Sequence, residues 1–267
     1  MSSYLLKHSS RSLGIKTGLL APVALACAVA ASSSYAAKEL LAEHIEDYSA
    51  SPSSNLPGCD HTTDGLFNEF GDAGGWGRTR WSDNNAWEQD FKSDHLAGGD
   101  DGDWSDDADF SYFCGHGNVG LVEFTTNNPG TIFTSTEGRW GDRDVEWVTF
   151  DTSMTFRDTG NNVATWYSNG LNRLHLLIGW HDSPLDGDTG GQFADELIDW
   201  GFFDGGGDTM KDAWFSGSGG CTDQNGGTTQ MIIAEVKSHY NDHLWGEGSV
   251  GSDQPNNGTG WKWSHNC

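Results

Sequence analysis

The sequence predicts an α/β fold built on a mostly parallel sheet. Three observations carry this. Short runs apolar enough for strands buried on both sides recur at 109–114, 145–150 and 174–178. Apolar residues at helical spacing mark 63–70, 192–203 and 209–215. Strands alternating with helices favour a sheet covered on both faces.

Taken in order, residues 40–48 read as a first strand, followed by a Ser/Pro/Asn loop at 49–58. Residues 63–70 carry an N-cap residue and helical spacing. Residues 71–108 are rich in Gly, Asp, Asn and Trp with weak periodicity, and are expected to wrap the surface. A strand at 109–114 and another at 119–124 precede the buried-type strands at 145–150 and 174–178. Helices follow at 192–203 and 209–215. Residues 229–236 fit a final strand or the start of a helix. No internal repeat is present. The 13 Trp residues lie mainly in loops, as packing caps or as a ligand surface.

The chain has 267 residues, 35% of them hydrophobic, enough for one domain with a real core. Residues 1–37 stand apart as a signal peptide. Lys7, Arg11 and Lys16 form a basic region, 19–31 is apolar, and Ser34, Tyr35 and Ala36 fit a small-x-small cleavage site. The apolar run is too short and Ala-rich for a good membrane span. The residues before Cys27 match a lipoprotein box poorly. This leaves 38–267 as the domain, secreted or periplasmic, with no membrane association after cleavage. The formal charge of −25 becomes three units more negative when the leader is removed. Such a chain repels nucleic acid and anionic membranes.

Cys59, Cys114, Cys221 and Cys267 remain after cleavage, and an exported chain permits two disulfides. Cys221 with Cys267 is the favoured pair, both lying in Gly-rich C-terminal sequence. That leaves Cys59 with Cys114, or Cys114 as a free thiol within an apolar strand.

Two strand ends carry chemistry-bearing residues. His116 stands between Gly115 and Gly117, sterically open, and the Gly117 N–H could face a developing oxyanion. The alternative is a structural turn. Ser153 follows the strand at 145–150, a usual place for a nucleophile; the alternative is a helix N-cap. Open parallel sheets place their sites at the carboxyl ends of strands.

Together these segments resemble caspase- and gingipain-type cysteine peptidases, in which an apolar strand and His-Gly precede, by roughly 35 to 50 residues, an apolar strand ending in a small residue and Cys. The counterparts here are 110–117 and 147–153. Residues 174–180, 193–197, 212–214 and 242–246 also resemble a little-characterised secreted family of that fold, so the likeness runs from Glu39 to the end. It implies a three-layer caspase-like sandwich. It makes His116 the general base or acid, residue 153 the nucleophile, and Gly117 with the residue-153 N–H the oxyanion hole. The chain departs from the pattern in holding Ser153 where the family has Cys. A hydroxyl is far less acidic than a thiol and needs a base in direct contact. Three readings follow. The site binds without cutting; Ser153 works with an orienting acid, Asp151 or Asp182; or Cys114 is the nucleophile.

Other patterns point elsewhere. His239 and His243 stand one helical turn apart, as in zinc helices, with His175, His181 and Asp182 as further ligands. Tyr240 occupies the place of the metalloprotease Glu. A lone His within an apolar run, as at His175, also reads as a hydrogen-bonded core residue. Residues 100–107 and 186–191 resemble loose calcium loops without EF-hand spacing. Calcium and zinc are therefore the cofactors the sequence allows. The functional classes are an exported caspase-like peptidase or weakened relative acting on peptide or protein, a metal-dependent hydrolase on His239 and His243, and a non-enzymatic exported binding protein using its loop tryptophans.

Overall fold

The computed structural model describes residues 37–185, 187–198, 206–218, 228–255 and 259–266. The expected leader lies outside these residues save for Ala37, and so do Cys221 and Cys267 with their expected pairing.

In chain order the strands are β1 (Lys38–His44), β2 (Trp76–Ser82), β3 (Phe110–Gly115), β4 (Gly117–Asn118), β5 (Leu121–Glu123), β6 (Ile132–Thr134), β7 (Trp147–Thr152), β8 (Leu176–Trp180), β9 (Thr229–Ala234) and β10 (Trp261–Asn266). The helices are α1 (Gly58–Ala73), α2 (Asn162–Gly170), α3 (Thr189–Leu197) and α4 (Met210–Gly217). Seven strands form one mixed sheet in the order β10-β9-β8-β7-β3-β1-β2. β2, β1, β3, β7 and β8 run parallel; β9 and β10 are antiparallel additions at one edge. β4, β5 and β6 make a small antiparallel sheet.

Every residue of β3, β7 and β8 is buried, as the doubly apolar runs require. Alternation along the strands divides the interior into two cores. Phe110, Tyr112, Trp147, Ile178 and Trp180 pack with Leu66 and Phe70 of α1, Phe193 of α3 and Trp214 of α4. Phe113, Val148, Phe150 and Leu177 pack on the other side with Phe91, Phe133 and Trp166 of α2. Trp140, Trp147, Trp166, Trp180 and Trp214 are fully buried, so much of the tryptophan complement builds the core.

Several expected elements differ in extent. α1 starts earlier than 63 because Pro57 precedes its first turn, with no side-chain cap to mark the start. The 71–108 segment does not merely wrap the surface. It supplies the parallel edge strand β2 and buries Ala86, Phe91 and several carboxyls. Residues 229–234 are a strand, and β10 follows it. The strand expected at 119–124 shrinks to β5.

The buried carboxyls are an unusual part of this interior. Glu43 is wholly buried, its carboxyl facing that of Asp90 and the Trp87 backbone. Burial, with the Asp90 charge beside it, pushes Glu43 well above the ordinary carboxyl range. Burial likewise raises Asp90 and Asp101 to about 7, Asp109 to about 6 and Glu146 to about 8. Such groups hold their protons to a higher pH in the fold than in the unfolded chain, where they ionise near pH 4. Their stabilising contribution is complete below about pH 4 and is lost as pH climbs through the folded values. Each group costs about 1.4 kcal/mol per pH unit within its window. His44 and His239, both lowered first by burial, act oppositely, but only below about pH 6.5. Thermal stability should therefore fall between pH 6.5 and pH 8.5. Asp90→Asn, a neutral mimic, should raise the Tm at pH 8 and flatten that slope. A Tm independent of pH over this range, measured by differential scanning calorimetry, would contradict the assignment.

Candidate active site

The parallel register sets the site. Gly115 of β3 pairs with Thr152 of β7, so His116 and Ser153 follow at neighbouring carboxyl ends. Both are half-buried and line one pocket of about 100 Å³, with Asp151, Thr189 and the Cys59–Cys114 disulfide in its wall. A larger pocket of about 300 Å³ between α2 and the β9–β10 edge holds only Tyr167 and the Asp158–Lys262 ion pair as polar chemistry. The chemistry-bearing residues thus meet in the smaller cavity.

His116 is tightly held. Its backbone N–H donates to Tyr48 Oη at 2.8 Å, and its ring meets the Tyr48 ring edge-on at 4.5 Å. Nε2 lies 2.7 Å from the Ser54 carbonyl oxygen. A carbonyl can only accept, so Nε2 carries the proton. In the neutral ring Nδ1 is then the basic nitrogen, and among the described residues no hydrogen bond engages it.

Ser153 is not a helix N-cap, since α2 begins only at Asn162. It opens a turn stitched to the end of β8: the Met154 N–H donates to the Asp182 carbonyl at 3.2 Å and the Phe156 N–H to the Trp180 carbonyl at 3.0 Å. Met154 takes a φ of 59°, left-handed backbone that is uncommon for a non-glycine residue and typical of strained functional turns.

Neither candidate acid orients the imidazole. Asp151 accepts from Tyr112 Oη at 2.8 Å and Trp180 Nε1 at 2.7 Å. Asp182 pairs with Arg157 at 2.8 Å and His181 at 3.1 Å. The Ser54 carbonyl does that work instead. Cys114 is bonded to Cys59, which removes it as a free thiol and as a nucleophile. The disulfide joins the first turn of α1 to the strand that carries His116. Ser54 and Tyr48 carry no sequence signal: one contributes a backbone oxygen, and the other reaches His116 across a long sequence separation.

The histidine pair takes a different form from the expected zinc helix. Residues 237–241 form a 3₁₀ helix that ends before His243, which instead bridges to Thr209, so the two imidazoles share no helix face. His239 stacks on His175 at 3.8 Å, whereas His243 Nδ1 lies 2.9 Å from the Gly207 carbonyl. His175 is a buried core residue 2.6 Å from Asp242. His181 lies beyond the far end of β8, roughly 20 Å away along the strand at about 3.3 Å per residue. The acidic loop turns inward: Asp101 accepts the Asp94 N–H at 2.7 Å and Asp106 the Gly141 N–H at 2.5 Å. Asp188 caps α3 through the Gly191 N–H, and Asp186 lies outside the described residues. Among the described residues no three His, Cys, Asp or Glu side chains are placed to hold a metal ion, and no helix is long and apolar enough to cross a membrane.

Gly117 packs against the Ser153 turn. A Cβ there would lie 2.5 Å from Thr155 Oγ1, 2.8 Å from Thr152 Cβ and 3.0 Å from the Ser153 carbonyl oxygen. This close approach accounts for the glycine on packing grounds alone. Gly117→Ala should destabilise the fold by about 2 kcal/mol, as overpacking does, read as a fall of several degrees in Tm. An unchanged Tm would mean that the turn moves freely.

Comparison with curated proteins finds no match. A family model described as a domain of unknown function, DUF6345, matches residues 42–265. That span includes His116, Ser153 and nearly all of the sheet, and the chain belongs to the DUF6345 family.

Proposed function

We propose that the chain is an exported, caspase-like relative of the cysteine peptidases that engages a peptide segment in the His116–Ser153 pocket, with catalysis weakened by serine at the nucleophile position. One observation carries this reading. A base whose tautomer is fixed and a hydroxyl at an adjacent strand end line the same pocket, at the carboxyl edge of a parallel run of strands. Ligands of open parallel sheets bind at this edge, near the point where strand order reverses. Here that point lies between β1 and β3, beside His116.

In acyl transfer the Ser153 Oγ would attack the peptide carbonyl while His116 Nδ1 takes its proton. The same imidazole would then protonate the leaving amine, and water would hydrolyse the acyl-enzyme. No hydrogen bond joins His116 and Ser153 in the resting pocket among the described residues, so the hydroxyl is not activated before substrate arrives. A thiol at this position ionises far more readily and depends less on contact at rest. The Cys59–Cys114 disulfide accords with an oxidising compartment.

Ser153→Cys should react with a peptidyl acyloxymethyl ketone, while the wild type stays unlabelled. Adding His116→Ala should slow that labelling about 100-fold, the low end of general-base effects. Intact-mass spectrometry reads both. Peptide hydrolysis by the wild type that His116→Ala abolishes would correct the reading to a working serine enzyme. A Ser153→Cys protein that resists the probe sinks it and favours a binding module without this site.

A further inference from the structure

His116 is held by three hydrogen bonds, and each leads to Glu123 of β5. The Glu123 N–H donates to the His116 carbonyl at 2.9 Å. Tyr48 Oη, which accepts the His116 N–H, donates onward to the Glu123 carbonyl at 3.1 Å. Burial pushes the Tyr48 phenol up, so it remains a donor. The third bond, from Nε2 to the Ser54 carbonyl, is framed by the Glu123 side chain. Ser53 Oγ donates to Oε2 at 2.7 Å, and Ser51 Oγ donates to Oε1. Both hydroxyls precede Ser54 in sequence, so one carboxylate grips the chain on the N-terminal side of the carbonyl that the imidazole needs. Asn55 and Leu56 tie down the other side, through Tyr48 N–H to Asn55 Oδ1 at 2.9 Å and Leu56 N–H to the Glu46 carbonyl at 2.8 Å.

We propose that Glu123 is the positioning residue of His116, its carboxylate fixing residues 51–54 so that the Ser54 carbonyl holds the Nε2 proton and leaves Nδ1 as the basic nitrogen. This deepens the reading of the His116–Ser153 site, on which its catalytic meaning rests. A carboxylate suits the task because it accepts two hydroxyl donors at once without presenting a competing donor. Removing it frees two serine hydroxyls and loosens the N-terminal side of the segment that bears the Ser54 carbonyl, while the backbone contacts of residue 123 persist.

The test follows the His116 ring rather than turnover. In the isotopically labelled full chain, NMR should show the His116 Nε2 proton exchanging slowly with water. Glu123→Ala should speed that exchange at least tenfold. The Ser51→Ala, Ser53→Ala double variant should reproduce the effect. Glu123→Gln, whose amide oxygen still accepts one hydroxyl, should fall between. Unchanged exchange in folded Glu123→Ala would overturn the assignment. If that variant fails to fold, the double serine variant decides by the same criterion. A His116 proton that responds as expected, in a protein whose Ser153→Cys form resists the peptidyl probe, would leave the positioning role standing and remove the peptidase-like reading.

Discussion

Asp151 is the interaction on which the site depends. It sits on β7 between β3 and β8 and accepts from Tyr112 on one neighbour and Trp180 on the other. One buried carboxylate therefore ties three adjacent parallel strands at their carboxyl ends. Tyr112 Oη lies 3.3 Å from Thr62 Oγ1 of α1, which in turn accepts the Gly190 N–H at the start of α3. The chain of contacts crosses strands and helices directly beneath the pocket. A slip of one residue in β7 would turn Asp151 toward the aromatic core around Phe150 and carry Ser153 away from His116. Desolvating a carboxylate costs free energy that a well-packed apolar residue does not. What the carboxylate provides in return is a register that hydrophobic packing alone would specify less sharply.

The strands of greatest consequence were legible because burial on two faces leaves little room for polar residues. β3, β7 and β8 stand out as apolar runs, and His116 and Ser153 stand out because they follow such runs. β2 and β10 were not legible for the opposite reason. Both are edge strands, and polar residues such as Arg78, Arg80, Lys262 and His265 interrupt their patterns without harm, since one side of an edge strand meets solvent. The 71–108 segment misled because its carboxyls read as solvent-facing. Asp90, Asp101 and Asp106 are instead buried and spent on backbone N–H groups of irregular loops.

The machinery around His116 was legible only in its first member. Glycine on either side of a strand-end histidine reads as openness, yet both glycines answer to crowding: a Cβ at Gly115 would lie 2.7 Å from Tyr48 Oη and one at Gly117 2.5 Å from Thr155 Oγ1. The orienting group is a backbone oxygen, which any residue could supply, so no side-chain pattern at 49–58 announces it. A carboxylate partner was the natural expectation for a base beside a serine. The chain has Asp151 and Asp182 at adjacent strand ends, and both are engaged elsewhere. Spacing along a sequence locates a residue on a strand, but it does not say which of two nearby carboxylates a folded loop will leave free.

On the peptidase-like reading proposed above, the hold on His116 makes serine a weak substitute in this pocket. Neighbouring strands lie about 4.8 Å apart, so residues that follow them in register are close at the backbone. Closeness is sufficient for a thiolate, which attacks without surrendering a proton at that moment. It is insufficient for a hydroxyl, which must donate to Nδ1 as it attacks. The Ser54 bond, the Tyr48 contact and the Glu123 grip all fix the imidazole from the loop side, and any rotation of the ring during catalysis means giving up a hydrogen bond of about 1 kcal/mol together with its ordered surroundings. A base clamped in this way keeps one tautomer and one direction. It serves a nucleophile that is already ionised better than one that still has a proton to lose.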